Sequence, residues 1–96
     1  MMVPEELQRL RRSIDNCDAA LIHILAERFR ATREVGQLKA ARSLPPVDPG
    51  RESAHVAGLR ELAGSAGLDP DFAERLIRMV MAEVVAQHER TIAGAG

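Results

Sequence analysis

Two cations eleven residues apart carry the sharpest chemical signal in this sequence. Arg28 and Lys39 lie on a stretch, Pro4 to Ser43, that has no glycine before Gly36 and no proline after Pro4. In an α-helix eleven residues make almost a whole number of turns. Arg28, Thr32, Val35 and Lys39 would therefore share one face, with the Cα atoms of the two cations roughly 16 Å apart. Two long cationic side chains leaning toward each other can grip a small anion between them. Arg28 also interrupts an apolar seam. Leu7, Leu10, Ile14, Cys17, Leu21 and Ile24 recur at alternating steps of three and four, Arg28 takes the next position, and Ala31, Val35 and Leu38 resume the pattern. A buried arginine is rare unless paired. One reading pairs it with an acid on another helix or lets its alkyl stem snorkel to the edge. The other has it wait for an anionic ligand, and Lys39 on the same face favours that one. Arg11 would be about 25 Å from Arg28 along the axis and about 100° round it. It cannot reach the same small ligand from its own helix, but an antiparallel partner could supply it.

Other candidates are dispersed. Arg51 and Glu52 follow Asp48 directly after a proline-rich break. A solvated first turn explains them, with Glu52 complementing the helix dipole. Free amides and polar side chains at a helix start can also hold a ligand's anions and hydroxyls. His88 continues an apolar stripe through Val80 and Val84, where a lone histidine is usually a satisfied core residue. His23 and His55 stand isolated in other elements, so no metal-ligand spacing occurs. Nor is there a Ser-His-Asp pattern, a glycine-rich phosphate loop or a zinc motif. What remains is a set of cations, a few hydrogen-bonding groups and an apolar helical shell. Such a set suits binding a small dianion and stabilising charge that develops within it, with no cofactor and no metal.

The elements that must position these groups are helical. Ninety-six residues make one domain, spanning 1–96. Apolar residues are 46% and charged residues 28%, with no tryptophan or tyrosine; the abundance of alanine, leucine, arginine and glutamate points to helix. A formal net charge of −1 argues against a nucleic-acid binder that relies on a basic field. Cys17 is the single cysteine and reads as a small buried apolar residue on the seam. No segment could span a membrane or serve as a signal peptide, so a cytoplasmic location is expected. Pro4, Glu5 and Glu6 suit a first helical turn. One helix from Pro4 to Ser43 would be about 60 Å long, too long for a compact domain of this size to cover alone, so a partner chain is expected. Pro45, Pro46, Pro49 and Gly50 break the chain. Asp48-Pro49 and Asp69-Pro70 each read as an N-cap followed by proline at the first helical position. They open a second helix over about 49–66 and a third over about 70–92. The inward sides are Val56, Leu59, Leu62 and Ala63 on the second helix. On the third they are Phe72, Leu76, Ile77, Val80, Met81, Val84, Val85 and His88.

As a set, these residues resemble the helical chorismate mutases. The resemblance rests on Arg11 in LQRLRRSID, Arg28 in LAERFRA, Lys39 in EVGQLKAAR, the break followed by VDPGRE, and the ending AERLIRMVMAEVVAQHE. It covers roughly Leu7 to Glu89. It implies an intertwined, all-helical homodimer of three-helix chains. Each of the two sites takes one arginine from the other protomer, in agreement with the reach argument for Arg11. It also implies the pericyclic rearrangement of chorismate to prephenate, on the shikimate route to phenylalanine and tyrosine, without covalent intermediate or proton transfer. Carried over by position, Arg28 and Arg11 of the second copy bind the two carboxylates, and Arg51 adds positive charge. Lys39 donates to the ether oxygen, Glu52 and the backbone near Asp48 take the ring hydroxyl, and Val35 and Met81 line the pocket. Two positions depart from the family's pattern. His88 stands where glutamine or glutamate is common as second donor to the ether oxygen. Val84 replaces a polar residue that often helps bind a carboxylate. His88 can donate through a ring N–H as imidazole or imidazolium.

Two rivals compete with this reading. A sister enzyme on the same scaffold would act on 4-amino-4-deoxychorismate or isochorismate, since Glu52 is compatible with a hydroxyl or an amine on the ring. A non-catalytic helical dimerisation module would explain the seam but not the shared face of Arg28 and Lys39. A further variant keeps the mutase and adds a larger shikimate-pathway enzyme as an activating partner.

Overall fold

A computed structural model of the chain describes residues 4–95, with side chains to residue 90. It consists of α1 (Glu5–Ala41), α2 (Pro49–Ser65) and α3 (Pro70–Ala95), and no strand occurs among the described residues. The all-α expectation holds, with helix ends displaced by up to three residues. None of the helices is long and apolar enough to cross a membrane, among the described residues. The chain divides into two units, Met1–Glu34 and Val35–Gly96.

The first unit is the greater part of α1. Its first turn carries Glu5 and Glu6, and Gln8 N donates to Pro4 O at 3.1 Å. Arg30 pairs with Glu27 and reaches Glu34 at 3.8 Å, and the Arg30 guanidinium holds the exposed Glu27 carboxyl below its usual range. These pairs support the solvated face of a helix. The apolar seam is present and uncovered. Ile14 is 57% and Ile24 64% exposed, Leu7, Leu10 and Leu21 are also exposed, and no residue of α1 is buried. Cys17, expected to be buried, is exposed too. Its burial would require a second helix laid along the seam.

The second unit contains the last turns of α1, the α1–α2 turn, α2 and α3. Asp48 caps α2 as its sequence indicates: its Oδ1 accepts from Arg51 N at 3.1 Å, and Pro49 occupies the first turn. Asp69 does the same for α3, accepting from Asp71 N at 2.9 Å. The helix α2 packs on α3 through Val56, Ala63 and Val80, which are buried. Leu59, Ile77, Met81 and Val84 are half-buried beside them. The inward faces are narrower than the sequence indicates. Leu62 is 63% exposed, and Phe72, Leu76, Val85 and His88 are exposed as well. Leu62 sits about 100° round the helix from Ala63, so a face centred on Val56 and Ala63 turns it outward.

The other edge of the α2–α3 contact is ionic. Arg60 on α2 reaches Asp71 at 2.9 Å and Glu74 at 3.0 Å on α3, and Arg78 donates to Glu74 at 2.8 Å. The Glu74 carboxyl is held below its ordinary value of 4.5, chiefly by the hydrogen bond from Arg78; desolvation opposes this, and the charge of Arg78 and the contact with Arg60 add to the lowering. A depressed carboxylate contributes stability that is full above the unfolded value and is lost as pH falls through the folded one. Thermal unfolding followed by circular dichroism should therefore show a melting temperature that falls below about pH 4.5. The fall should be smaller in Glu74→Gln. An equal fall in both proteins would remove Glu74 from the account.

Candidate active site

In the first unit, Arg28 is half-buried, as are Leu25, Phe29 and Thr32, while Ile24 and Ala31, before and after it on the seam, are exposed. Its Nη1 is shut off from solvent and has no hydrogen-bond partner among the described residues, and no ion pair engages the side chain there. Buried polar atoms are almost always paired, and a cationic donor left alone is costly. The reading that pairs Arg28 with an acid finds no such partner among the described residues. The acid one residue before it, Glu27, is taken by Arg30. Arg28 lines an open depression of about 430 Å³ with His23, Ile24, Glu27 and Ala31. Arg11, further back on α1, is exposed.

In the second unit, Lys39 lies in the last turn of α1, half-buried, where its charge complements the helix C-terminus. Its Nζ donates to Pro46 O at 3.4 Å. Two residues further on, Asp48 starts α2, and Glu52 N closes the first turn on Asp48 O at 3.1 Å. Arg51 and Glu52 are exposed in that turn. On α3, Val84 is half-buried, one turn before the exposed His88. The structure thus ties Lys39 to the segment that leads into Asp48, Arg51 and Glu52. No hydrogen bond or ion pair joins Lys39, Glu52 and His88 among the described residues.

The first unit thus offers a guanidinium shielded at Nη1 and unpaired; the second offers a lightly held ammonium at a helix end and a capped helix start with an acid. A lone guanidinium can bind an anion, and an ammonium can donate to developing negative charge. Among the described residues no hydrogen bond sets a nucleophile against a base. Pro46 is the participant that sequence reasoning missed. The signal was the Pro45-Pro46 pair itself, a stiff segment seven residues after Lys39, but a backbone carbonyl has no residue type by which to recognise it.

The sequence matches the type II chorismate mutase family over residues 10–89. The chain belongs to that family. Every chorismate mutase site position singled out above, from Arg11 to His88, falls inside the matched span. Among curated relatives, the T-protein of Enterobacter agglomerans is 41% identical over 78 residues, 81% of this chain and 21% of that protein. The T-protein of Haemophilus influenzae is 34% identical over 90 residues, 94% of this chain and 24% of that protein. A 4-amino-4-deoxychorismate mutase of Streptomyces pristinaespiralis is 27% identical over 92 residues, 96% of this chain and 71% of that protein. The chain thus spans about a fifth to a quarter of the length of the two T-proteins.

Proposed function

We propose that the chain is a chorismate mutase, rearranging chorismate to prephenate. The observation that carries this reading is the Arg28 guanidinium, shielded at Nη1 and unpaired on a chain of this family. A substrate carboxylate is the partner that would satisfy it. The reaction is unimolecular: a C–O bond breaks and a C–C bond forms within one molecule. The protein needs only to hold the reactive conformer and to stabilise negative charge growing on the ether oxygen. In this reading Arg28 and Arg11 of a second copy hold the carboxylates, with Arg51 adding positive charge. Lys39 and His88 donate to the ether oxygen. Glu52 and the Asp48 backbone take the ring hydroxyl, and Val84 contributes an apolar wall. The 1–96 stretch acts as one domain within a homodimer that encloses two such sites, and it works in the cytoplasm.

The uncovered α1 seam supports the dimer. A shikimate-pathway enzyme as further partner is compatible with this assembly. The test is turnover of chorismate by the purified protein beside isochorismate and 4-amino-4-deoxychorismate. The reading predicts a kcat/KM highest for chorismate. Preference for the amino compound would favour the second reading, which the Streptomyces relative supports.

His88 offers a sharper check. Removal of a donor to a developing oxyanion typically costs about 10²–10³ in rate. His88→Ala should lower kcat by about that order, and His88→Gln, which restores an N–H donor, should recover most of it. Since His88 is exposed, neither change should alter folding. Equal activity in His88→Ala and the unsubstituted protein would remove it from the site.

A further inference from the structure

We propose that the α1–α2 turn is a positioning device for Lys39. Pro46 supplies the positioning group through its carbonyl, and Ser43 sets the turn. The proposal rests on the reading of Lys39 as the donor to the ether oxygen. Lys39 is held at both of its polar ends by this short segment. Its carbonyl accepts from Leu44 N at 2.8 Å, and its Nζ donates to Pro46 O at 3.4 Å. The first bond belongs to a helix-ending motif in which Ser43 N also donates to Ala40 O, at 3.4 Å. The motif requires a left-handed residue, and Ser43 supplies it with φ 54°.

The end of α2 serves as an internal control. There the same motif is built by Gly67 N on Gly64 O at 3.2 Å and Leu68 N on Ala63 O at 2.8 Å. The left-handed residue at that end is Gly67, φ 79°, the choice that costs least. At the end of α1 the chain carries a serine, which reaches the same conformation at greater cost but has fewer alternatives once there. Beyond Leu44 come two prolines, Pro45 and Pro46, each with φ fixed near −65° and no N–H of its own. The Pro46 carbonyl is therefore carried on a segment with little freedom, between a left-handed serine and the Asp48 cap.

The length of the Lys39–Pro46 bond matters. At 3.4 Å it is longer than the usual N–H···O range of about 2.7–3.2 Å, hence weak. An ammonium has three donors. A weak bond from one of them orients the group without consuming it, and leaves the others for an oxygen brought in by a ligand. A stronger partner, such as a carboxylate, would compete with that ligand.

The test is a double-substitution cycle read by calorimetric binding of a bicyclic ether dicarboxylate that mimics the transition state, with circular dichroism as a folding control. Ser43→Val disfavours the left-handed conformation. With Lys39 present it should weaken binding about tenfold; in a Lys39→Ala background its effect should be less than about twofold, as expected of neighbours that act through one another. Ser43→Gly keeps the turn and should change neither affinity by more than about twofold. Where Ser43→Val does not fold, Pro46→Gly, which frees the carbonyl's segment, takes its place in the same cycle with the same expectation. Equal losses in the two backgrounds, or no loss with Lys39 present, would overturn the positioning role while leaving the enzyme reading intact. Failure of the unsubstituted protein to bind the mimic would overturn the enzyme reading, and this inference with it.

Discussion

Arg28→Ala should lower kcat/KM for chorismate by about 10²–10³-fold without loss of stability. Truncating one member of a desolvated charge pair typically costs 2–5 kcal/mol, because the other charge is left without its partner. In the complex proposed above that partner is a substrate carboxylate. The free protein pays nothing comparable. Arg28 Nη1 has no partner among the described residues, so its removal leaves no acceptor orphaned, and alanine is the best helix former. Melting should therefore be unchanged or slightly higher. The two readouts separate a binding group from a structural one: an arginine that held the fold would lose stability and activity together. A folded Arg28→Ala protein with activity within threefold of the original would reject the anion-binding assignment. Chorismate consumption followed by absorbance, beside a thermal melt, measures both.

Mixing two inactive proteins should restore activity. Arg11→Ala and Lys39→Ala should each be nearly silent alone. Unfolded together and refolded, they should recover about a quarter of the original activity, because half of the random dimers are mixed and each mixed dimer holds one intact site. The geometry behind this is simple. The α1 seam is uncovered, and two copies can cover it by lying antiparallel. The midpoint between positions 11 and 28 falls at Ala19 and Ala20, small residues that permit close helix axes. Pairing about that point brings Arg11 of one copy level with Arg28 of the other. If Arg11 served its own chain's site, each mixed dimer would carry one site lacking Arg11 and one lacking Lys39, and mixing would recover nothing. A monomer would recover nothing either, and sedimentation would show it.

Both predictions draw on features visible in the primary sequence, because both concern helix periodicity. Where a seam at steps of three and four is broken by a single arginine, the break is legible without coordinates. Helix starts are legible for a similar reason. Asp48-Pro49 and Asp69-Pro70 each solve a local hydrogen-bonding problem with local residues, and both caps form as their sequences indicate. Membership of the type II chorismate mutase family was legible from the same dispersed set, since the cations, the break and the ending are informative only together.

What lay beyond the sequence was decided by neighbours. Leu62 looked like a core residue by type, but the α2–α3 contact is centred on Val56, Ala63 and Val80 and turns it outward. Arg60 crosses to Asp71 and Glu74 on α3, a pairing that no local pattern in the sequence marks. The hold of Pro46 on Lys39 was beyond sequence reading for a different reason: it depends on a left-handed turn at Ser43, a conformation that serine adopts only when the surrounding hydrogen bonds require it. Periodicity, caps and breaks follow from interactions within a few residues, and so the sequence alone determined the three helices and where each begins. Which side of each helix meets another, and which carbonyl a lysine finds, depends on groups distant in sequence or on backbone angles set cooperatively, and only the tertiary structure decided those.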